Sequence, residues 1–176
     1  MQPKDWPAEI HRELAAAGVR IVGYVPDAGH KRLIELCRAD RKMRAVVLAT
    51  EEDGIGLAAG AWLGGERSVL LMQSSGVGNT INVLGLLKTC RFPLPIIVTM
   101  RGQPGEFNSW QVPMGEGTPA VFEAMGVEVK QALDANDVSS TVKSALEKAF
   151  AEECGVAVLI AQKVIGIKSF QEQSDK

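Results

Sequence analysis

Arg44-Ala45-Val46-Val47-Leu48-Ala49 runs without a gap into Thr50-Glu51-Glu52-Asp53-Gly54-Ile55-Gly56-Leu57-Ala58-Ala59-Gly60, and the pattern of side chains changes at Thr50. Residues 44–49 are a short apolar run, expected as a buried strand. Thr50 stands as an N-cap with Asp53 as its capping-box partner, opening a helix that should reach about Leu63. A strand that feeds directly into a helix, repeated along a chain, predicts a mainly parallel sheet covered on both faces.

The same alternation extends in both directions. Upstream, residues 7–17 are amphipathic and stop at Gly18, residues 19–25 are a β-branched run broken by Pro26, and 31–39 form a helix with Leu33, Ile34 and Leu36 inward. Downstream come a strand at 68–72, a helix at 76–89 and a strand at 94–100. A long polar loop follows over 101–117, then a helix at 119–125, a strand at 127–130, a helix at 138–152 and a last strand at 156–161. The expected fold class is α/β, a three-layer α/β/α arrangement around a mainly parallel sheet of about six strands. Ligands gather outside the carboxyl ends of such strands, so chemistry is expected in the turns after Ala49, Gln73 and Met100.

Composition narrows the function. With 176 residues, 46% of them hydrophobic, the chain suits one domain that needs no disulfide or metal staple. Nineteen Lys and Arg against 21 Asp and Glu, with no long basic run, argue against nucleic-acid binding and against a membrane-surface patch. Cys37, Cys90 and Cys154 never pair as C-x-x-C and are expected to be buried thiols in a reducing compartment. His11 and His30 are the only histidines, too few for a His-rich metal site. No secretory pattern opens the chain, and the longest apolar stretch, 54–65, is too short for a bilayer; a cytoplasmic location is expected.

Three segments stand out chemically. Glu51-Glu52-Asp53 lies at a strand-to-helix junction, where acids complement the helix dipole by about 0.3–1 kcal/mol each. The small residues that follow, with glycines at 54, 56 and 60, would also allow close approach of another backbone or a flat ligand. Met72-Gln73-Ser74-Ser75-Gly76-Val77-Gly78-Asn79 is a Gly-rich turn whose N–H groups can hold anions or polar ligand atoms, yet it is neither a dinucleotide fingerprint nor a P-loop. The loop 101–117 is either a solvated excursion or a lid, with Arg101 at a strand end as a natural carboxylate or sulfonate clamp.

Val25-Pro26-Asp27, Glu51 with Ala59-Gly60, Met72-Gln73-Ser74-Ser75-Gly76, Arg101-Gly102 and Gln111-Val112-Pro113-Met114-Gly115 occur in this order along most of the chain. Together they resemble the pyrimidine-binding (PYR) domain of thiamine diphosphate enzymes, most closely the sulfopyruvate decarboxylase alpha-subunit and phosphonopyruvate decarboxylase family. The resemblance implies a PYR domain over residues 1–168 and a polar tail over 169–176. It implies that Glu51, rather than Glu52, is catalytic, with a hydrogen bond to N1′ of the cofactor aminopyrimidine, and that Gln73, Ser75, Gly76 and Asn79 share the cofactor pocket. Asp27, His30, Arg101 and Gln111 are implied on the substrate side, Asp27 being otherwise a turn former and His30 otherwise a surface histidine, with no metal ligand in this chain. Pro26-Asp27-Ala28 and Ser74 depart from the commoner Pro-Asp-Ser and Met-Gln-Asn-Ser-Gly, which bears on the substrate.

The diphosphate-binding half of such an enzyme is marked by Gly-Asp-Gly, and this chain has none. The resemblance therefore implies a hetero-oligomer in which a beta subunit supplies that half and the Mg²⁺. The implied reaction is decarboxylation of an anionic 2-oxo acid, 3-sulfopyruvate first and phosphonopyruvate second. A carboligating or acyl-transferring subunit and a non-catalytic PYR-like binding subunit are the alternatives.

Overall fold

The computed structural model describes residues 4–166; the tail expected at 169–176 lies outside them. Six strands, β1 (Val19–Tyr24), β2 (Arg44–Val47), β3 (Arg67–Gln73), β4 (Leu94–Thr99), β5 (Glu128–Ala132) and β6 (Gly155–Ile160), form one sheet in the order β2-β1-β3-β4-β6-β5. Every pairing is parallel. The helices are α1 (Trp6–Ala16), α2 (Lys31–Ala39), α3 (Glu51–Leu63), α4 (Ile81–Cys90), α5 (Val112–Ala124), α6 (Val138–Glu152) and the single turn α7 (Gln162–Ile165).

Strand side chains alternate between two cores. Val69 and Leu71, Ile97, and Val156, Val158 and Ile160 pack with α1, α2 and α6. Leu70 and Met72, Ile96 and Val98, and Ala157 and Leu159 pack with α3, α4 and α5. That is the period-two consequence of the pleat, and it makes the central strands apolar throughout. The chain moves from β1 outward to β2 and then returns past β1 to β3, so its direction reverses between the carboxyl ends of β1 and β3. This switch point is where an open parallel sheet leaves a crevice.

The expected three-layer architecture is present, with local differences. β2 is an edge strand rather than a buried one: Val47 is 61% exposed, because only β1 pairs with it. The helix expected from 76 begins at Ile81, after a 3-10 turn over Ser74–Thr80. Helix α5 starts seven residues before the expected 119 and contains Pro119. Pro113 suits a first helical turn, the Thr118 hydroxyl bonds back within the helix to the Met114 carbonyl at 2.7 Å, and Gly115, Thr118 and Phe122 are buried, so tertiary packing overrides the low helix propensity of this segment. Cys37 is buried, which pushes its thiol up to about 12, and burial also raises the half-buried Cys154; Cys90, at the solvent end of α4, is exposed, contrary to expectation. Among the described residues no helix is long and apolar enough to cross a membrane.

Candidate active site

Glu51 is the first residue of α3, and Asp53 accepts the Thr50 N–H at 3.3 Å, fixing the helix start. Glu52 and Asp53 are exposed, whereas Glu51 turns inward and is 8% exposed. Asn79, carried by the 3-10 turn after β3, donates its Nδ2 to Glu51 Oε2 at 2.8 Å. On its other side the carboxyl lies against the bare backbone of Gly76: a Cβ there would fall 2.1 Å from Oε1 and 2.2 Å from Cδ. Three sequence-expected residues thus form one tight group, whose carboxyl has one oxygen held by an amide and is pressed against a glycine.

Asp27, in the loop after β1, centres a second group. Its Oδ1 accepts from Gln73 Nε2 at 2.8 Å, and its Oδ2 accepts from Thr99 Oγ1 at 2.6 Å and from the Gly29 N–H at 3.1 Å. Gln73 Oε1 in turn accepts from Ser75 Oγ at 2.7 Å. Burial pushes the Asp27 carboxyl up, but the Thr99 hydroxyl, the neighbouring His30 and the Gln73 and Gly29 donors outweigh it and hold it below the usual range. Asp27, Gln73, Thr99, Arg101 and Glu106 share the wall of a cavity of about 290 Å³ at the carboxyl ends of β1, β3 and β4.

His30 is neither at a substrate mouth nor on the surface. It is completely buried, off the cavity wall, and its Nε2 lies 3.2 Å from the Met72 carbonyl and 3.1 Å from that of Ile97. Both partners are acceptors, so Nε2 carries the proton and Nδ1 is left bare; among the described residues it has no partner. Burial, only partly offset by Asp27 and the two carbonyls, depresses the ring's pKa and keeps it neutral. The unfolded chain takes up this proton near pH 6.5, so His30 contributes stability above that value and loses it as pH falls toward the folded pKa. The thermal midpoint should therefore drop as pH is lowered from about 7 to about 5.5, and His30→Gln should flatten that part of the curve. An unchanged slope in the variant would remove His30 as its cause.

Arg101 is not a free clamp. Its Nε and Nη2 each donate to Glu106 at 2.6 Å, and its backbone N–H donates to Ser74 Oγ at 3.0 Å. Gln111 does not join it on the cavity wall; it ends a 3-10 turn, and its carbonyl packs against Gly102. Gly102 has φ +75°, and a Cβ there would be 2.4 Å from the Gln111 oxygen, so only glycine suits this bend.

Sequence reasoning missed Thr99, Glu106 and Gln162. Thr99 had a signal, a hydroxyl at the end of the apolar run 94–98. Gln162, just beyond β6, donates to Glu106 at 2.9 Å across 56 residues, a contact that no local spacing reveals.

The fold is a three-layer α/β/α arrangement around a six-stranded, all-parallel sheet. It is shared with a 2-oxoglutarate:ferredoxin oxidoreductase from Magnetococcus marinus at TM-score 0.70 and 16% identity, over 95% of this chain and 31% of that one. No family model matches the chain. Sulfopyruvate decarboxylase subunit alpha of Methanococcus maripaludis is 34% identical over 86% of this chain and 91% of its own length. The corresponding subunit of Methanothermobacter thermautotrophicus is 30% identical over 89% and 95%. A phosphonopyruvate decarboxylase of Streptomyces viridochromogenes is 31% identical over 96% of this chain, which spans 43% of that enzyme. The chain belongs to the sulfopyruvate decarboxylase alpha-subunit family.

Proposed function

We propose that this chain is the alpha subunit of a heteromeric thiamine diphosphate-dependent 2-oxo acid decarboxylase that converts 3-sulfopyruvate to sulfoacetaldehyde and CO₂. The observation that carries the catalytic part is the Glu51 carboxyl, held by Asn79 at 2.8 Å against the backbone of Gly76. The residues present fit an aminopyrimidine: a buried carboxyl for its ring nitrogen, in a cradle that any Cβ would fill. When bound, the cofactor supplies an electron sink for the carbanion left by CO₂ loss. Glu51 holds and exchanges the proton at N1′, while Gln73, Ser75, Gly76 and Asn79 shape the pocket around it. Overall, the C1–C2 bond of the 2-oxo acid breaks, CO₂ leaves, and one proton is taken up at C2.

On the substrate side Asp27 and Arg101 flank the cavity, and Arg101 is the only cation among the described residues that line it. A PYR domain over 1–168 with a tail over 169–176 is part of this reading. So is a beta subunit that brings the diphosphate-binding half and Mg²⁺. The face of α3 supports a partner contact: a Cβ at Gly56 or Gly60 would meet nothing within 4 Å, and Leu63 is 89% exposed. The phosphonopyruvate decarboxylase relative favours phosphonopyruvate as the second substrate.

The test is to mix the purified chain with the subunit encoded beside it, thiamine diphosphate and Mg²⁺, and to measure CO₂ from a panel of 2-oxo acids. Release from 3-sulfopyruvate by the mixture, and by neither subunit alone, is expected. Turnover by this chain alone, or a complex that decarboxylates nothing, overturns the proposal; the second outcome points to a binding subunit.

A further inference from the structure

Neither the sequence motifs nor the proposed mechanism uses Glu106, although among the described residues it is the most heavily coordinated carboxylate near the cavity. Besides the two bonds from Arg101, it accepts from the Gly102 N–H at 3.2 Å, the Asn108 N–H at 3.0 Å and Gln162 Nε2 at 2.9 Å. Gln162 is itself fixed by a reciprocal pairing, its Oε1 accepting the Gln103 N–H at 3.0 Å and its own N–H going to Gln103 Oε1 at 2.8 Å. Arg101 hydrogen bonds, against the effect of burial and with help from the Asn108 and Gly102 N–H groups, hold the Glu106 carboxyl far below the usual range.

The pair is asymmetric. The Glu106 side chain is 1% exposed and the Arg101 side chain 12%, so the carboxylate sits behind and the guanidinium in front. Side-on pairing through Nε and Nη2 fixes the plane of the guanidinium and leaves its Nη1 edge uncommitted to Glu106. The Ser74 hydroxyl pins the backbone of the same residue, and Asp27, the other carboxylate on the wall, is engaged by Gln73, Thr99 and Gly29. A buried ion pair is weak as a stability device, which directs attention to what its exposed end can bind.

We infer that Glu106 is a positioning residue that aims the Nη1 edge of Arg101 at the anionic head group of the 2-oxo acid, and so sets the preference for a charged head group over an apolar one. The inference rests on the reading of Arg101 as a substrate contact. Its distinguishing feature is a sign. If Glu106 merely neutralised Arg101, removing its charge would tighten anion binding; if it aims the guanidinium, removing it loosens anion binding.

The test uses the assembled complex with Glu106→Gln, Glu106→Asp and Arg101→Ala. Substrates are 3-sulfopyruvate and 2-oxobutanoate, which has a methyl group in place of the sulfonate. Glu106→Gln should raise KM for 3-sulfopyruvate about 10-fold, the scale of one misplaced charged hydrogen bond, with kcat within about 3-fold and KM for 2-oxobutanoate nearly constant. Glu106→Asp, which keeps the charge but shortens the reach, should fall between and serves if the amide variant does not assemble. Calorimetric affinity for sulfoacetate, an unreactive sulfonate, should weaken in parallel, and this holds as a readout even if 3-sulfopyruvate is not the substrate. An unchanged or lower KM in the Glu106 variants, with KM raised in Arg101→Ala, overturns the inference and spares the substrate contact. An unchanged KM ratio in Arg101→Ala overturns both.

Discussion

Glu51→Gln is expected to lower decarboxylation by the assembled complex by about 10²–10⁴-fold, the range for loss of a positioned acid–base group, while folding and assembly stay intact. The structural reason for intact folding is that the partner of Glu51 is an amide. Asn79 Nδ2 donates to Oε2 at 2.8 Å, and a glutamine carbonyl accepts the same bond with the same shape. Glu51 is only 8% exposed, so an uncharged side chain there carries no added desolvation penalty. What glutamine cannot do is exchange a proton at a ring nitrogen. CO₂ release in the variant complex, beside its thermal midpoint and its elution on size exclusion, checks the claim. Turnover near wild type would end the catalytic assignment of Glu51.

Gly76→Ala is expected to reduce activity on a comparable scale without touching any titratable group. A Cβ at 76 would lie 2.1 Å from Oε1, 2.2 Å from Cδ and 2.5 Å from Cγ of Glu51, far inside contact distance. Backbone geometry does not forbid alanine here, because φ at 76 lies outside the left-handed region. The atoms that must give belong to one flexible side chain, so the strain is relieved by swinging Glu51 out of its place rather than by unfolding the turn. The expected stability loss is about 1–3 kcal/mol at most, the usual scale of overpacking. Gly76→Ala combined with Glu51→Gln should be strongly non-additive, since both variants remove the same function. Fully additive losses would show that Gly76 acts on something other than Glu51.

The same two residues show what a sequence can and cannot carry. The spacing of Glu51 from Gly60 singles it out from Glu52 once the family resemblance is recognised, and the structure turns Glu51 inward and leaves Glu52 exposed. The contact with Gly76 lies 25 residues away in another element and follows only from how β3 and its 3-10 turn pack against α3. Helix α6 was legible to the residue, because its apolar positions recur at helical spacing without interruption. Helix α5 was not. Pro113, Gly115, Gly117 and Pro119 carry the local signals of a loop, and the helix exists because packing against its neighbours compensates for poor propensity.

Alternating apolar runs and helical stretches in the sequence determined by themselves a parallel α/β sheet and pointed to the end of it where the candidate site lies. They did so because the pleat and the helical turn impose fixed periods on any chain that must bury one face. Tertiary structure alone decided that His30 is buried as a neutral donor to two carbonyls and that Arg101 is bound to Glu106. Burial and charge pairing depend on neighbours brought together across the sheet and along an aperiodic loop, and neither leaves a repeat in the order of residues.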